Sequence, residues 1–232
     1  MLVTSYNIRK AICPDRRRRP ERILEVLCEI DADIVALQEA DRRFGSRATA
    51  LPLHLIAEHS PYKAVPLDVR TGSIGWHGNA LLVRKDATIL RHATLTLPAL
   101  EPRGAVLADI EIGGAAIRVV GMHLDLSGLW RRRQAHAILT QVEAQPTPLP
   151  TVMMGDLNEW RATGGCLHDF AQHFHFAPTS PSFHSRQPIA RLDRIILSRD
   201  VAVEETGVHR SPRANSASDH LPVWAKLRLP EL

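Results

Sequence analysis

Carboxylate, amide and imidazole side chains recur in this sequence where apolar runs begin or end. Asn7 closes the run from Leu2, Glu39 follows Val35-Ala36-Leu37-Gln38, and His123 closes the run that ends Gly121-Met122. Asp156 and Asn158 follow Val152-Met153-Met154-Gly155, Asp193 stands within Leu192 to Leu197, and Asp219 and His220 precede the last apolar run. Any one of these is ordinarily a turn or cap group satisfied by backbone N–H. As a set they would line one cleft, because loops at the strand ends of a rigid scaffold carry reactive groups. A hard divalent cation takes carboxylate, amide and water oxygens, which Glu39, Asn7 and Asp219 can offer. Water attack on a phosphate ester also needs a proton acceptor and donors for the developing charge. Asp156, His220, Asn158 and His123 can supply those.

The elements that must position these groups follow from hydrophobic period. Residues 2–9 and 33–39 read as strands. Pro20 sits at the start of a helix that sets Ile23, Val26, Leu27 and Ile30 on one face. A short helix is expected at 51–59 and a loop from Gly72 to Gly78. Strands are expected at 79–84, 88–96, 104–112 and 116–123, the last two joined by Gly113-Gly114 as a hairpin. Ser127 is read as the cap of a helix to about Ala144, with Trp130, Ile138, Leu139 and Val142 toward the core. A strand at 151–155, a short helix at 163–170, and strands at 192–197, 201–209 and 222–229 complete the chain. Many strands with few helices predict a mixed α/β (α+β) fold: a two-sheet β-sandwich flanked by helices. No linker divides the 232 residues, so one domain over 1–232 is expected.

Composition bounds the partners. Hydrophobic residues make up 44% and charged residues 23%, ordinary for a globular chain. The net charge of +4 comes from arginine, since the only lysines are Lys10, Lys63, Lys85 and Lys226. Arginine excess suits an anionic partner; an arginine-writing genome explains it equally. Cys13, Cys28 and Cys166 form no metal-binding spacing and suit a reducing compartment. No apolar run approaches a membrane span, and the N-terminus reads as a strand rather than a leader. A cytoplasmic location is the expectation.

The motifs carry a specific resemblance. Ser5-Tyr6-Asn7-Ile8, Gln38-Glu39, Gly78-Asn79-Ala80, Gly121-Met122-His123-Leu124, Gly155-Asp156-Leu157-Asn158, Leu192-Asp193-Arg194-Ile195 and Ser218-Asp219-His220-Leu221-Pro222 run from residue 5 to residue 222. In kind and order they resemble the endonuclease/exonuclease/phosphatase superfamily. That group includes DNase I-like nucleases, abasic-site endonucleases, sphingomyelinases and inositol-phosphate 5-phosphatases. Glu101-Pro102-Arg103-Gly104, Arg191-Leu192-Asp193-Arg194 and the short length look most like its small bacterial YbhP-type branch.

The resemblance implies a four-layer DNase I-like fold and Mg²⁺-dependent hydrolysis of a phosphate ester, with Mn²⁺ as a substitute ion. Glu39 is implied as the principal Mg²⁺ ligand, with Asn7 and Asp219. Asp156 would deprotonate water or hold a second metal, and Asn158 would donate its amide to phosphate. His220 would contact the scissile phosphate, with Asp193 fixing its tautomer. His123 would bond a phosphate oxygen or assist the leaving group. Whether Asp156 or His220 is the base stays open. Arg9 stands where some nucleases of the group carry a second acid.

Other residues carry two readings each. Arg103 is a phosphate clamp or a surface ion pair. Asn79 steadies Glu39 or phosphate, or caps its strand. Trp76 and His77 belong to a substrate lid or to a turn with one buried aromatic. Arg131-Arg132-Arg133 is read on the exposed side of its helix. The substrate is a nucleic acid or a phospholipid, and no obligate protein partner is evident. The rival from another class is a catalytically inactive relative that binds nucleic acid or a partner.

Overall fold

The computed structural model describes residues 1–42, 48–67 and 72–230. Its first half holds β1 (Leu2–Asn7), α1 (Pro20–Ile30), β2 (Ile34–Gln38), α2 (Leu53–His59), β3 (Tyr62–Ala64), β4 (Ala80–Arg84), β5 (Thr88–Leu95) and β6 (Gly104–Ile112). Its second half holds β7 (Ala115–His123), α3 (Gly128–Glu143), β8 (Thr151–Asp156), α4 (Cys166–Ala171), β9 (His175–Phe176), β10 (Asp193–Leu197), β11 (Ala202–Val208), α5 (Ala214–Ala217) and β12 (Val223–Arg228). Two mixed six-stranded sheets result, in the orders β11-β12-β1-β2-β4-β3 and β5-β6-β7-β8-β10-β9.

The sheets repeat one pattern. Each holds a parallel pair at its centre, β1 with β2 and β7 with β8, joined through α1 and α3. The other neighbours are antiparallel. The repeat is one of topology and is not visible in residue identity.

The period of two explains the layers. In β2, Ile34 and Ala36 enter the core between the sheets, while Val35 and Leu37 pack outward with Ile23, Val26 and Leu27 of α1. In β7, Ile117 and Val119 face inward, while Val120 and Met122 pack outward against Ile138 and Leu139 of α3. Both faces of each sheet are covered, giving four layers. Each fully buried Leu, Ile or Val side chain contributes roughly 1.5–3 kcal/mol. No helix of the described residues is long and apolar enough to cross a membrane.

Local chemistry follows expectation at several points. Pro20 opens α1 at its first turn, where its missing N–H costs nothing. Gly113 and Gly114 both take positive φ, 59° and 80°. A two-residue hairpin turn requires that conformation. Expectations fail at the start of α3. Ser127 occupies the cap position but makes no side-chain cap bond; its N–H instead bonds Oδ1 of Asp125 at 2.9 Å. Trp130 stays half-buried, with the Arg133 guanidinium 4.9 Å over its ring. The short strands β3 and β9 and the single-turn helix α5 are too brief to show a period in the sequence.

Candidate active site

Strand direction brings the candidate site residues to one edge. β1, β2, β7 and β8 end there, while their antiparallel neighbours β4, β6, β10 and β12 begin there. The register makes this concrete: Asn7 lies opposite Gln38, Gly104 opposite His123, His123 opposite Asp156, and Asp156 opposite Asp193. Parity supplies the direction. Val152 and Met154 face the inter-sheet core, so Asp156, two residues on, faces the same way. The same counting from Val119 turns His123 inward, and from Ile195 back it turns Asp193 inward. The apolar layer between the sheets therefore ends in a polar one.

Close approach of β7 and β8 sharpens that edge. A Cβ on Gly155 would lie 1.8 Å from the Met122 carbonyl oxygen. Only glycine fits beside Asp156. Glu39 and Asn158 adopt positive φ, 53° and 51°. That conformation costs on the order of 1 kcal/mol for a residue with a Cβ, and it clusters at functional sites.

Asp156 is the hub. Its Oδ2 accepts the Asn7 amide at 3.0 Å and lies 3.4 Å from His123 Nε2 and 3.7 Å from His220 Nε2. Its Oδ1 accepts the Asn158 N–H at 2.9 Å, and the Asn158 side-chain amide donates to the Leu124 carbonyl at 2.8 Å. Behind His220, Asp193 Oδ2 lies 2.9 Å from Nδ1 and accepts the Ser182 hydroxyl at 2.5 Å. Ligand atoms of Asp156, Asp193 and His220 lie within 4.8 Å of one another, close enough to ligate a metal. His220 and Ser182 both bond Asp193 through Oδ2, so this trio reads first as a hydrogen-bonded relay.

The two imidazoles are driven apart. Burial, joined by the charges of Arg103, His220 and Lys10, pushes His123 down to about 3 against the pull of Asp156. Burial would lower His220 as well, but the Asp193 and Asp156 carboxylates outweigh it and raise that imidazole to about 10.

Glu39 and Asp219 occupy the more open side, with side chains 26% and 22% exposed. Lys10 Nζ bonds Glu39 Oε2, and Arg9 Nε lies 3.3 Å from Asp219 Oδ2. Asn7 joins this side to the hub: its Oδ1 accepts the Arg9 N–H at 3.1 Å, and its carbonyl accepts the Ser218 hydroxyl at 2.7 Å. Arg103 Nη1 lies 2.9 Å from both ring nitrogens of His123, which puts the guanidinium in the site. Asn79 is placed differently from the phosphate-binding reading. Its amide donates to the Gly104 carbonyl at 2.8 Å and the Trp76 carbonyl at 3.3 Å, stapling the start of β4 to β6. Trp76 forms a tight turn with Asn79 through paired backbone bonds, so its loop is a braced turn.

Four contributors lie beyond what sequence reasoning reaches. Lys10 lies two residues beyond the motif that holds Asn7 and Ile8. Ser182 and Phe183 come from a loop with no strand-end signature, yet the Phe183 ring lies 4.8 Å from the His220 ring. Arg131, expected on the exposed side of its helix, is only 8% exposed. It bonds Glu159 Oε2 at 3.0 Å and the Leu126 carbonyl at 2.6 Å, tying the loop after His123 to the loop after Asn158.

Comparison with known proteins agrees with this architecture. The sequence model described as the Endonuclease/Exonuclease/phosphatase family matches residues 4–220. The chain is 28% identical over 249 aligned positions to the Escherichia coli K12 protein YbhP, described as uncharacterized, covering 98% of this chain and 96% of that one. An endonuclease/exonuclease/phosphatase from Bacteroides vulgatus superposes with a TM-score of 0.78 at 21% identity, covering 98% of each chain. A mannosyl-6-phosphatase of Bacteroides thetaiotaomicron superposes with a TM-score of 0.77 at 20% identity, covering 99% of this chain and 100% of that one.

Proposed function

We propose, from the premise that this chain belongs to the endonuclease/exonuclease/phosphatase family, that it is a Mg²⁺-dependent hydrolase of phosphate esters. The observation that carries the reading is Asp156, only 2% exposed, holding Asn7 and Asn158 N–H groups while facing His123 and His220.

The residues fit a hard divalent cation. Glu39, Asn7 and Asp219 are oxygen donors. Each of the two carboxylates already draws a cationic side chain to itself, Lys10 and Arg9. Those three would hold Mg²⁺, with Mn²⁺ able to replace it, and the bound ion would supply positive charge to the phosphate oxygens. The protein's own groups do the rest. Asp156 orients a water and takes its proton at a carboxylate oxygen. His220, held at Nδ1 by Asp193, presents Nε2 to the scissile phosphate. His123 and Arg103 place neutral and cationic donors beside the same oxygens, where charge grows in the transition state.

Hydrolysis of bis-p-nitrophenyl phosphate tests this. Turnover is expected with Mg²⁺ or Mn²⁺, none with EDTA, and losses of about 10²-fold or more in Glu39→Ala and His220→Ala. No metal-dependent turnover on any ester of a panel of diesters and monoesters would leave a binding module in its place.

A further inference from the structure

The mouth of this site is greasy. Among the described residues, five of the seven exposed large hydrophobics lie in loops beside it or in the turn that follows one: Leu100 at 70%, Leu126 at 62%, Leu129 at 60%, Trp160 at 62% and Ile189 at 75%. Each is tied to the reactive edge. The Trp160 ring lies 5.9 Å from Phe183, the ring packed on His220. The Ile189 N–H bonds the Phe183 carbonyl at 2.8 Å. The Leu100 N–H lies 3.3 Å from Asp125 Oδ2, in the loop that carries Leu126. Leu129 stands in the first turn of α3, directly after that loop. Apolar exposure gathered on loops around one edge marks a binding surface rather than scattered surface leucines.

Charge narrows the partner. Arg132, Arg133, Arg161, Arg186 and Arg191 are exposed in the same loops and the adjoining turn of α3. The acids there are turned in or paired: Asp125 is 1% and Glu159 3% exposed, and Glu101 pairs with Arg103 at 3.4 Å. Apolar tips ringed by arginine match an anionic bilayer, where leucine and tryptophan enter the headgroup boundary and basic side chains meet lipid phosphates. A nucleic acid would use the arginines and stack on Trp160, but it offers nothing to four aliphatic side chains.

We infer that this rim docks on an anionic phospholipid surface and that the ester delivered to Asp156 and His220 is a lipid-headgroup phosphate. The inference rests on the phosphoesterase reading of the same site and goes further by naming the substrate class.

The test separates the two. Sedimentation with sucrose-loaded vesicles is measured in EDTA, so that binding is read without catalysis. Phosphatidylcholine vesicles with and without phosphatidylglycerol are compared, alongside a short single-stranded DNA oligonucleotide. Wild type is expected to partition onto the anionic vesicles at least tenfold more than onto neutral ones. Leu100→Glu and Leu129→Glu should each cut that partition about tenfold while turnover of bis-p-nitrophenyl phosphate stays unchanged. Glutamate in the first turn of α3 suits the helix dipole, so Leu129→Glu should fold normally. Equal partition of wild type and variants overturns the docking surface, as does tighter binding to the oligonucleotide that Trp160→Ala abolishes. Loss of soluble turnover alone would instead remove the enzyme reading.

Discussion

Nδ1 of His220 stands 2.9 Å from Oδ2 of Asp193, and the Asp193 side chain is wholly enclosed. A buried carboxylate in that position fixes which ring nitrogen faces the cleft. Asp193→Asn keeps the shape and removes the charge. The expected outcome is a fall in kcat of about 10²–10⁴-fold with an unchanged circular dichroism spectrum. A rate within threefold of wild type would take Asp193 out of the site.

Lys10 occupies the Glu39 carboxylate that a divalent ion would need. Lys10→Met removes that competitor. Adding Mg²⁺ is therefore expected to raise the melting temperature further in the variant than in wild type, because a tighter ligand shifts stability more at the same concentration. Calorimetric titration of Mg²⁺ into both proteins checks it; equal affinities would show that Lys10 does not contest the ion.

Gly155 has no room for a side chain against the Met122 carbonyl. Gly155→Ala must force β7 and β8 apart beneath Asp156 and should cost about 3 kcal/mol or more. Urea unfolding monitored by fluorescence reads the loss directly. Gly113 faces open space at a φ of +59°. Gly113→Ala should therefore cost only about 1 kcal/mol.

Arg131 and Glu159 form a buried pair that braces two site loops. Arg131→Met leaves Glu159 uncompensated and should lose about 3–5 kcal/mol, whereas Arg131→Met with Glu159→Leu should recover much of it. Chemical denaturation of the three variants decides whether the pair is coupled.

Acid sensitivity has a source outside the site. Burial would raise Glu29, but bonds from Ser211, His209 and Arg213 prevail and lower it to about 2. A depressed carboxylate contributes stability that is full above its unfolded value and is lost as pH falls through its folded one. For Glu29 that window runs from 4.5 down to about 2. For this partly solvated group the contribution is about 1 kcal/mol. Glu29→Gln should lower stability at pH 7 and converge with wild type below pH 2; parallel curves from pH 7 to 2 would disprove the linkage.

Strand-end polarity makes most of the site legible in the sequence, because sheet parity turns a residue's position in a run into a direction in space. Asn7, His123, Asp156, Asn158, Asp193 and His220 are all marked that way, and they meet. The signal fails where contact comes from chain with no period of its own. Ser182 and Phe183 reach His220 from an irregular loop. Arg131 looks like one of three solvated arginines, and only its partner 28 residues away, Glu159, shows why it is inside. Asn79 stands out in the sequence with reason, yet its amide is committed to backbone carbonyls.

β1 lies between β2 and β12, the one close by in the chain and the other separated from it by nearly the whole sequence. During synthesis the second edge of this central strand has no mate until residues 223–228 leave the ribosome. Such non-local closure slows folding and leaves a sticky strand edge bare meanwhile. Chains cut short before β12 should therefore collect in inclusion bodies, the practical sign of that late-arriving neighbour.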